Sequence, residues 1–346
     1  MALPYADGPR HAGHQAHHHQ RLQVGVHALP PEAVAAQAGH HGAEGLRRER
    51  GQGQAGRVGL QEVQGREDLQ GIGIGRRALD VSATPALFDT HCHLDFVAFD
   101  ADRDLVLERA RAAGVVGMVV AAVHPRDWSR IGALAAAHDD VYAVVGVHTE
   151  VLPGLTAVEL DESLGALVAE AGVHRAVAIG ETGFDSRVAA EGVSLETQGK
   201  AVDAHREAAR ALGLPVILHI VGAHGPALDH LERSGPFPHG GVVHSYSGSA
   251  ELVDRYVALN LHIGFAGSVV RPNARKPRAA AARVPADRLL VETDAPDQPL
   301  HGATSSRNEP SEVARVAQAV AAARGETFET VSRFTTENAR VLYRLP

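Results

Sequence analysis

Residues 115–122 read VVGMVVAA, an apolar run that lies between two amphipathic segments. A strand in a parallel sheet reads as such a run, because helices cover both faces of the sheet. Seven more short apolar segments recur along the chain, each followed by a longer segment with helical spacing. The eight predicted strands are 87–91, 115–123, 141–148, 176–181, 215–219, 241–244, 261–264 and 288–292.

The intervening helical patterns complete eight strand–helix pairs between residues 86 and 346. This count and length predict an α/β fold, a TIM (β/α)8 barrel, whose usual size is about 250 residues. An open doubly wound sheet is the alternative architecture. The predicted helices lie near 102–112, 126–138, 157–171, 194–212, 224–234, 249–258, 273–283 and 310–323, with a last one near 327–341.

The first strand ends in the segment DTHCHLD, residues 89–95. Residues two apart in an extended chain point to the same side, so His91 and His93 are predicted to face the barrel mouth together and Cys92 to face away. Two imidazoles on one face are half of a first-row metal site.

Other metal-capable side chains stand at or just past the ends of later strands. They are His124, His148, Glu181, His219, His244 and Asp294. Active sites of these barrels lie at the carboxyl ends of the strands, and this placement favours the closed barrel. Histidines and carboxylates in one cleft are costly to bury unless a cation compensates them.

The predicted metal ligands are His91, His93, Glu181, His219, His244 and Asp294. Four imidazoles and two carboxylates exceed the three protein ligands of an open mononuclear zinc site, so two divalent ions are predicted. Glu181 is suited to bridge them, and Asp294 to ligate one ion and hold or deprotonate a bound water. Imidazoles favour Zn²⁺ or Mn²⁺, whereas phosphate chemistry often uses Mg²⁺.

Five segments in this order resemble the TatD family of metal-dependent hydrolases, often described as TatD-like deoxyribonucleases. They are FDTHCHLD (88–95), IGETGFD (179–185), LPVILH (214–219), VVHSYSG (242–248) and LVETDAP (290–296). The resemblance covers residues 87–346 and implies a TIM barrel with two divalent ions. It implies one ion held by His91, His93, Glu181 and Asp294, and the other by Glu181, His219 and His244.

The chain departs from the family pattern in two places. The family often has Gly-x-His-Pro-His after strand three, whereas residues 146–150 read GVHTE, which keeps His148 and places Glu150 at the last position. An arginine that often follows the strand-five histidine is missing from residues 220–223, IVGA. The basic segment 268–278 is the alternative source of positive charge, unless it is only a solvated helix start.

The resemblance and the ligand set together predict phosphodiester hydrolysis, most specifically a 3′–5′ exodeoxyribonuclease. Asp294 and Glu181 are the predicted catalytic residues, and His148, Lys276 and Arg278 the predicted substrate contacts. The expected substrates are DNA ends or another phosphodiester, without a membrane or an obligate protein partner. The alternatives are a metal-dependent amidohydrolase, lactonase or deacylase, and a binding protein that keeps the barrel.

Composition narrows the class of protein further. Net charge is −8 and aromatic residues make up 4% of the chain, which argues against a basic nucleic-acid coat protein and against base-specific recognition. The single cysteine, Cys92, excludes an intramolecular disulfide. The sequence shows no signal peptide and no apolar run of membrane-spanning length, so a cytoplasmic protein is expected.

Residues 1–85 differ in composition from the rest of the chain. They hold eight of the 22 histidines, and glycine and glutamine interrupt every short apolar cluster. Such a segment buries too little apolar surface to offset its ordering entropy, so a disordered tail is predicted. A second hypothesis is that translation starts near Val81 and that the tail is not made in the cell.

Overall fold

The computed structural model describes residues 85–303 and 305–346, and eight parallel strands form one sheet within these ranges. Each strand pairs with the next one along the chain. The strands are β1 (Leu87–Cys92), β2 (Val115–Ala121), β3 (Val141–Val145), β4 (Ala178–Asp185), β5 (Val216–Val221), β6 (Gly241–Val243), β7 (Leu261–Phe265) and β8 (Leu289–Val291).

Backbone hydrogen bonds join the chain beyond β8 to β1. The Asp294 amide donates to the His91 carbonyl at 2.9 Å, and the His93 amide donates to the Ala295 carbonyl at 2.7 Å. The first and last strands are therefore neighbours, and the predicted TIM barrel is confirmed. The carboxyl ends of all eight strands meet at one mouth.

The helices of the described ranges connect consecutive strands and follow β8. They are α1 (Arg103–Ala112), α2 (Trp128–Ala137), α3 (Ala157–Val173), α4 (Ser186–Ala190), α5 (Leu195–Leu212), α6 (His224–Ser234), α7 (Val253–Ala258), α8 (Arg275–Arg283), α9 (Val313–Arg324) and α10 (Phe328–Tyr343). Nine of them agree with the predicted helical segments. No predicted segment covers α4, because its five residues are too few to show a helical period.

The barrel interior is filled by one apolar side chain from each of seven strands. Three residues near the end of α10 complete this interior cluster. Its members are Phe88, Val119, Val144, Ala178, Ile217, Val242, Leu290, Ala339, Leu342 and Tyr343. A second and larger apolar cluster includes strand and helix residues, Cys92 among them. The β1–β2 register shifts between Asp89 and Cys92. Cys92 packs among apolar side chains, whereas its neighbours His91 and His93 face the mouth of the barrel.

The described helices include none that is long and apolar enough to cross a membrane. The predicted disordered tail of residues 1–85, except Pro85, lies outside the described residues, as does Val81. Both hypotheses about that segment remain predictions.

Helix α5 is tied to the loop after β3 by a buried histidine. His205 is fully buried; its Nε2 accepts a hydrogen bond from the Val147 amide at 2.9 Å, and its Nδ1 lies 2.7 Å from the Ala201 carbonyl. Burial lowers the pKa of His205 to about 4. The neutral imidazole is thus a fixed part of the fold beside His148.

We expect His205→Leu to destabilise the protein by roughly 1–3 kcal/mol at pH 7.5, because it leaves the buried Val147 amide without an acceptor. The folded-state pKa lies below the unfolded one, so the stability that His205 contributes is present above about pH 6.5 and is lost as pH falls toward 4. The gap between wild type and variant should therefore narrow at pH 5. Thermal midpoints at both pH values measure it.

The exposed His301 provides the control, since His301→Leu removes an imidazole that is not buried. This variant should match wild type at both pH values. A gap for His205→Leu that stays constant or widens between pH 7.5 and pH 5 contradicts the assignment of a buried neutral imidazole.

Candidate metal centre

Five strands deliver metal-capable side chains to the mouth of the barrel. His91 and His93 lie at the end of β1, Glu181 lies in β4 and His219 in β5, whereas His244 and Asp294 follow β6 and β8. All but Asp294 are buried residues. Side chains that are 200 positions apart in the sequence therefore meet in one cluster, as the sequence analysis expects.

Glu181 lies at the centre of this cluster. Its Oε1 is 3.0 Å from His148 Nε2, 2.9 Å from His219 Nδ1 and 2.5 Å from His244 Nε2. Its other oxygen, Oε2, is 3.0 Å from His91 Nε2. The two oxygens of one carboxylate thus face two different sets of imidazoles, which is the arrangement that a bridging ligand requires.

Asp294 lies at the outer side of the cluster, with 13% of its side chain exposed. Its Oδ1 is 3.4 Å from His93 Nε2 and 3.6 Å from His91 Nε2. Its Oδ2 accepts a hydrogen bond from the Gln298 side-chain amide at 2.6 Å. Gln298 therefore fixes one oxygen of the Asp294 carboxylate, and the other oxygen faces the imidazoles of His91 and His93.

Several buried polar atoms of the cluster have no hydrogen-bond partner among the described residues. They include His91 Nε2 and Glu181 Oε2, which lie 3.0 Å apart without hydrogen-bond geometry. Buried polar atoms are normally paired, and a cation would satisfy both of these atoms. Four sets of ligand atoms among the described residues are compact enough to hold an ion: His91, Glu181 and His244; His91, His93 and Asp294; His148, Glu181 and His219; and Glu150, Asp185 and His219. The residues fit divalent cations bound by nitrogen and oxygen.

The imidazoles keep both carboxylates ionised. Burial by itself would raise the pKa of Glu181, but the nearby His148, His244 and His91 outweigh it and hold that pKa well below its usual range. Burial likewise opposes ionisation of Asp294, and its hydrogen bond to His93 is the main influence that lowers its pKa. Two anionic side chains are thus available to bind a cation in a largely buried cluster.

Two further acidic residues, Asp185 and Glu292, lie behind the imidazoles, and neither was assigned a role from the sequence. Asp185 Oδ2 is 3.3 Å from His219 Nε2 and is also bound by the Arg187 guanidinium. Glu292 Oε1 is 3.7 Å from His244 Nδ1, too far for a hydrogen bond. A carboxylate that is hydrogen-bonded to a ligating histidine fixes the ring orientation, so Asp185 is suited to orient His219. Both belong to segments that already contain a predicted ligand, and this position is the signal that could have identified them.

The predicted substrate contacts lie in different surroundings. His148 joins the cluster through Glu181. Lys276 is exposed on α8, whereas Arg278 donates hydrogen bonds to the Val269 and Arg271 carbonyls, both at 3.1 Å, and so braces the loop before α8. His124 stands apart from the ligand sets, and its Nδ1 accepts a hydrogen bond from the Arg126 amide.

Glu150, which departs from the family pattern, forms an ion pair with Arg187. Its Oε1 lies 3.2 Å from Arg187 Nη2, and the same guanidinium binds Asp185. The negative charge of Glu150 at the rim is thereby partly neutralised.

Comparison with known proteins places the whole barrel in one family. A family model described as TatD related DNase matches residues 88–344. The chain is 36% identical to YjjV of Escherichia coli strain K12, named an uncharacterized metal-dependent hydrolase, over 75% of this chain and 98% of that protein. It is 34% identical to the 3′–5′ ssDNA/RNA exonuclease TatD of Erwinia billingiae, over 75% of this chain and all of that protein.

A solved structure agrees with these sequence matches. The crystal structure of Escherichia coli YjjV, a TatD homologue, superposes with a TM-score of 0.68 at 35% identity, covering 75% of this chain and 98% of that one.

We expect Glu181→Gln to abolish or strongly reduce binding of divalent ions, because it removes the anionic group between the two sets of imidazoles. Wild type should gain thermal stability on addition of Mn²⁺ or Zn²⁺, by about 2.7 kcal/mol at a hundred times the dissociation constant. The variant should gain little. Metal content after dialysis and thermal midpoints with and without the ion measure both effects.

Asp161→Asn is the matched control, since it removes an exposed carboxylate of α3 that belongs to none of the ligand sets. It should bind metal as wild type does. Equal metal content in wild type and Glu181→Gln would overturn the assignment of Glu181 to the centre.

Proposed function

Because this chain belongs to the TatD family of metal-dependent hydrolases, we propose that it hydrolyses phosphodiester bonds, removing nucleotides from the 3′ end of single-stranded DNA. Membership of the family confirms the resemblance found in the sequence. The exonuclease activity is our proposal, and the name of the Erwinia billingiae relative supports it.

The observation that carries the proposal is the position of Glu181 between two sets of imidazoles. We propose that two divalent cations bind there, one held by His91, His93, Glu181 and Asp294 and the other by Glu181, His219 and His244. Such cations polarise a phosphoryl oxygen and lower the pKa of a bound water. Mg²⁺, Mn²⁺ and Zn²⁺ all remain candidates.

Asp294 is suited to receive the proton of the attacking water. It is the most exposed member of the predicted ligand set, and Gln298 fixes one of its oxygens. A general base must lie within hydrogen-bond reach of the proton that it accepts, and a carboxylate at the open side of the cluster meets this requirement. Glu181, deeper in the site, orients the imidazoles around it.

His148 has a defined tautomer that suits it to a positioning role. Its Nδ1 accepts a hydrogen bond from the Glu150 amide at 3.1 Å, so the proton lies on Nε2, which faces Glu181 Oε1. This N–H lies within hydrogen-bond distance of Glu181 Oε1, 3.0 Å away, so we propose that His148 orients Glu181 and thereby positions the substrate phosphate at the metal centre. Of the two basic candidates, Lys276 has the exposed ammonium, whereas Arg278 is engaged with backbone carbonyls.

The alternative predicted from the sequence is a metal-dependent amidohydrolase that acts on a small molecule, and the residue typical of such enzymes is missing from β4. Many metal-dependent amidohydrolases of this fold carry a carboxylated lysine on strand four. Here β4 carries Glu181, while Lys200 and Lys276, the two lysines of the sequence, lie on α5 and α8. The site therefore favours the phosphodiesterase proposal. The cytoplasmic location stays a prediction.

We expect Asp294→Asn to lower kcat for a single-stranded oligodeoxynucleotide by about 10²- to 10⁴-fold, the usual contribution of a general base. A 5′-labelled oligonucleotide shows loss of nucleotides from its 3′ end on a gel, with each divalent ion supplied in turn. Asp294 is proposed both as general base and as metal ligand. The metal content of the same samples therefore distinguishes loss of the general base from loss of bound metal.

Asp161→Asn again serves as the control and should retain full activity. A wild-type protein that binds metal but leaves the 3′ end intact would refute the proposed exonuclease. Unchanged activity in Asp294→Asn would refute the role of this carboxylate.

A further inference from the structure

A continuous series of aromatic rings crosses the mouth of the barrel. The ring centroids are 4.5 Å apart for His148–His219, 5.3 Å for His219–His244, 4.0 Å for His244–His91, 5.0 Å for His91–His93 and 4.9 Å for His93–Phe96. Phe96 is the last ring of this series and lies almost parallel to His93, with 24° between the planes. It is also the one ring that carries no polar atom.

Phe96 does not belong to the hydrophobic core of the described residues. It is half-buried and is absent from both apolar clusters and from the side chains packed against them. Its neighbour Val97 is 78% exposed, and Ala98 is exposed as well. Core packing therefore does not explain the aromatic side chain at position 96.

The backbone holds Phe96 firmly in spite of this exposure. Its amide donates to the His93 carbonyl at 3.1 Å. Arg103 donates from Nη2 to the Phe96 carbonyl at 3.1 Å and from Nε to the Leu94 carbonyl at 2.6 Å. A flat apolar ring is thus fixed at the edge of the candidate metal centre, next to solvent.

We propose that Phe96 is a substrate-binding residue on which the terminal nucleobase stacks while its phosphodiester lies at the metal centre. A nucleotide carries its base and its phosphate on one sugar, so a phosphate near His93 brings the base to the adjacent ring. Stacking on an aromatic side chain strengthens single-strand binding and tolerates every base. This inference rests on the proposed function and requires an unpaired end, since a base inside a duplex has no free face.

A different role for Phe96 would be to shield His93 from water. Shielding would affect every substrate equally, because it acts through the metal centre. Stacking would affect only substrates that have a base at the cleaved end. This difference separates the two roles.

The test compares Phe96→Leu, which keeps an apolar contact with His93 but has no flat face, with Phe96→Trp, which restores one. Two oligodeoxynucleotides serve as substrates, identical except that one ends in a stable abasic nucleotide. We expect Phe96→Leu to lower kcat/KM for the normal end roughly 5- to 100-fold, mainly through KM, and to leave the abasic end unchanged. Phe96→Trp should recover the loss, and Val97→Ala should resemble wild type.

Binding gives a second readout that does not depend on hydrolysis. An oligonucleotide that ends in 2-aminopurine behind a phosphorothioate linkage should lose fluorescence on binding to wild type and to Val97→Ala, and should lose much less on binding to Phe96→Leu. Metal content should be the same in all of these variants.

Three results would overturn the inference, and they differ from one another. Equal losses on both substrates would assign Phe96 to shielding His93, and no loss on either would deny it a role; in both cases the exonuclease proposal would stand. A metal-loaded wild type that shortens neither oligonucleotide would remove the proposed function together with this inference.

Discussion

The burial of one carboxylate among imidazoles is the constraint on which the rest of the structure depends. Glu181 is 1% exposed and faces imidazole nitrogens from four other segments. A buried charge without partners is strongly unfavourable, so strands β1, β5 and β6 must end where their histidines reach this group. The closed barrel satisfies that requirement, because it also brings the segment after β8 beside β1 and places Asp294 next to His91 and His93.

Groups behind the cluster make this arrangement rigid. Helix α5 contributes His205 to the loop after β3, and Gln198 to the end of β4, where its side-chain amide exchanges hydrogen bonds of 2.8 and 3.1 Å with the Asp185 backbone. The Asp89 carboxylate binds the amide and hydroxyl of Thr293 and so fastens β1 to the segment after β8. Polar groups inside the protein thus serve to fix strand ends rather than to fill the core.

Much of this architecture could be predicted from the sequence. The strands of a parallel barrel read as apolar runs, and the functional residues stand at the ends of those runs. Glu181 and Asp294 could be predicted as site residues for that reason. Other features depend on three-dimensional contacts that no local pattern records. The hydrogen bonds of Arg278 to the Val269 and Arg271 carbonyls and the stacking of Phe96 on His93 are two such contacts.

The separation of the cluster along the chain has a consequence for how the protein matures. His91 is made more than 200 residues before Asp294, so a nascent chain that has completed β1 to β7 still lacks one of the two predicted anionic ligands. Contacts of such long sequence separation form only after the entropy of closing a long loop has been overcome, and ion affinity that depends on them is coupled to completion of the fold. A cation that needs the full cluster would therefore bind the completed barrel and not a chain that ends before β8.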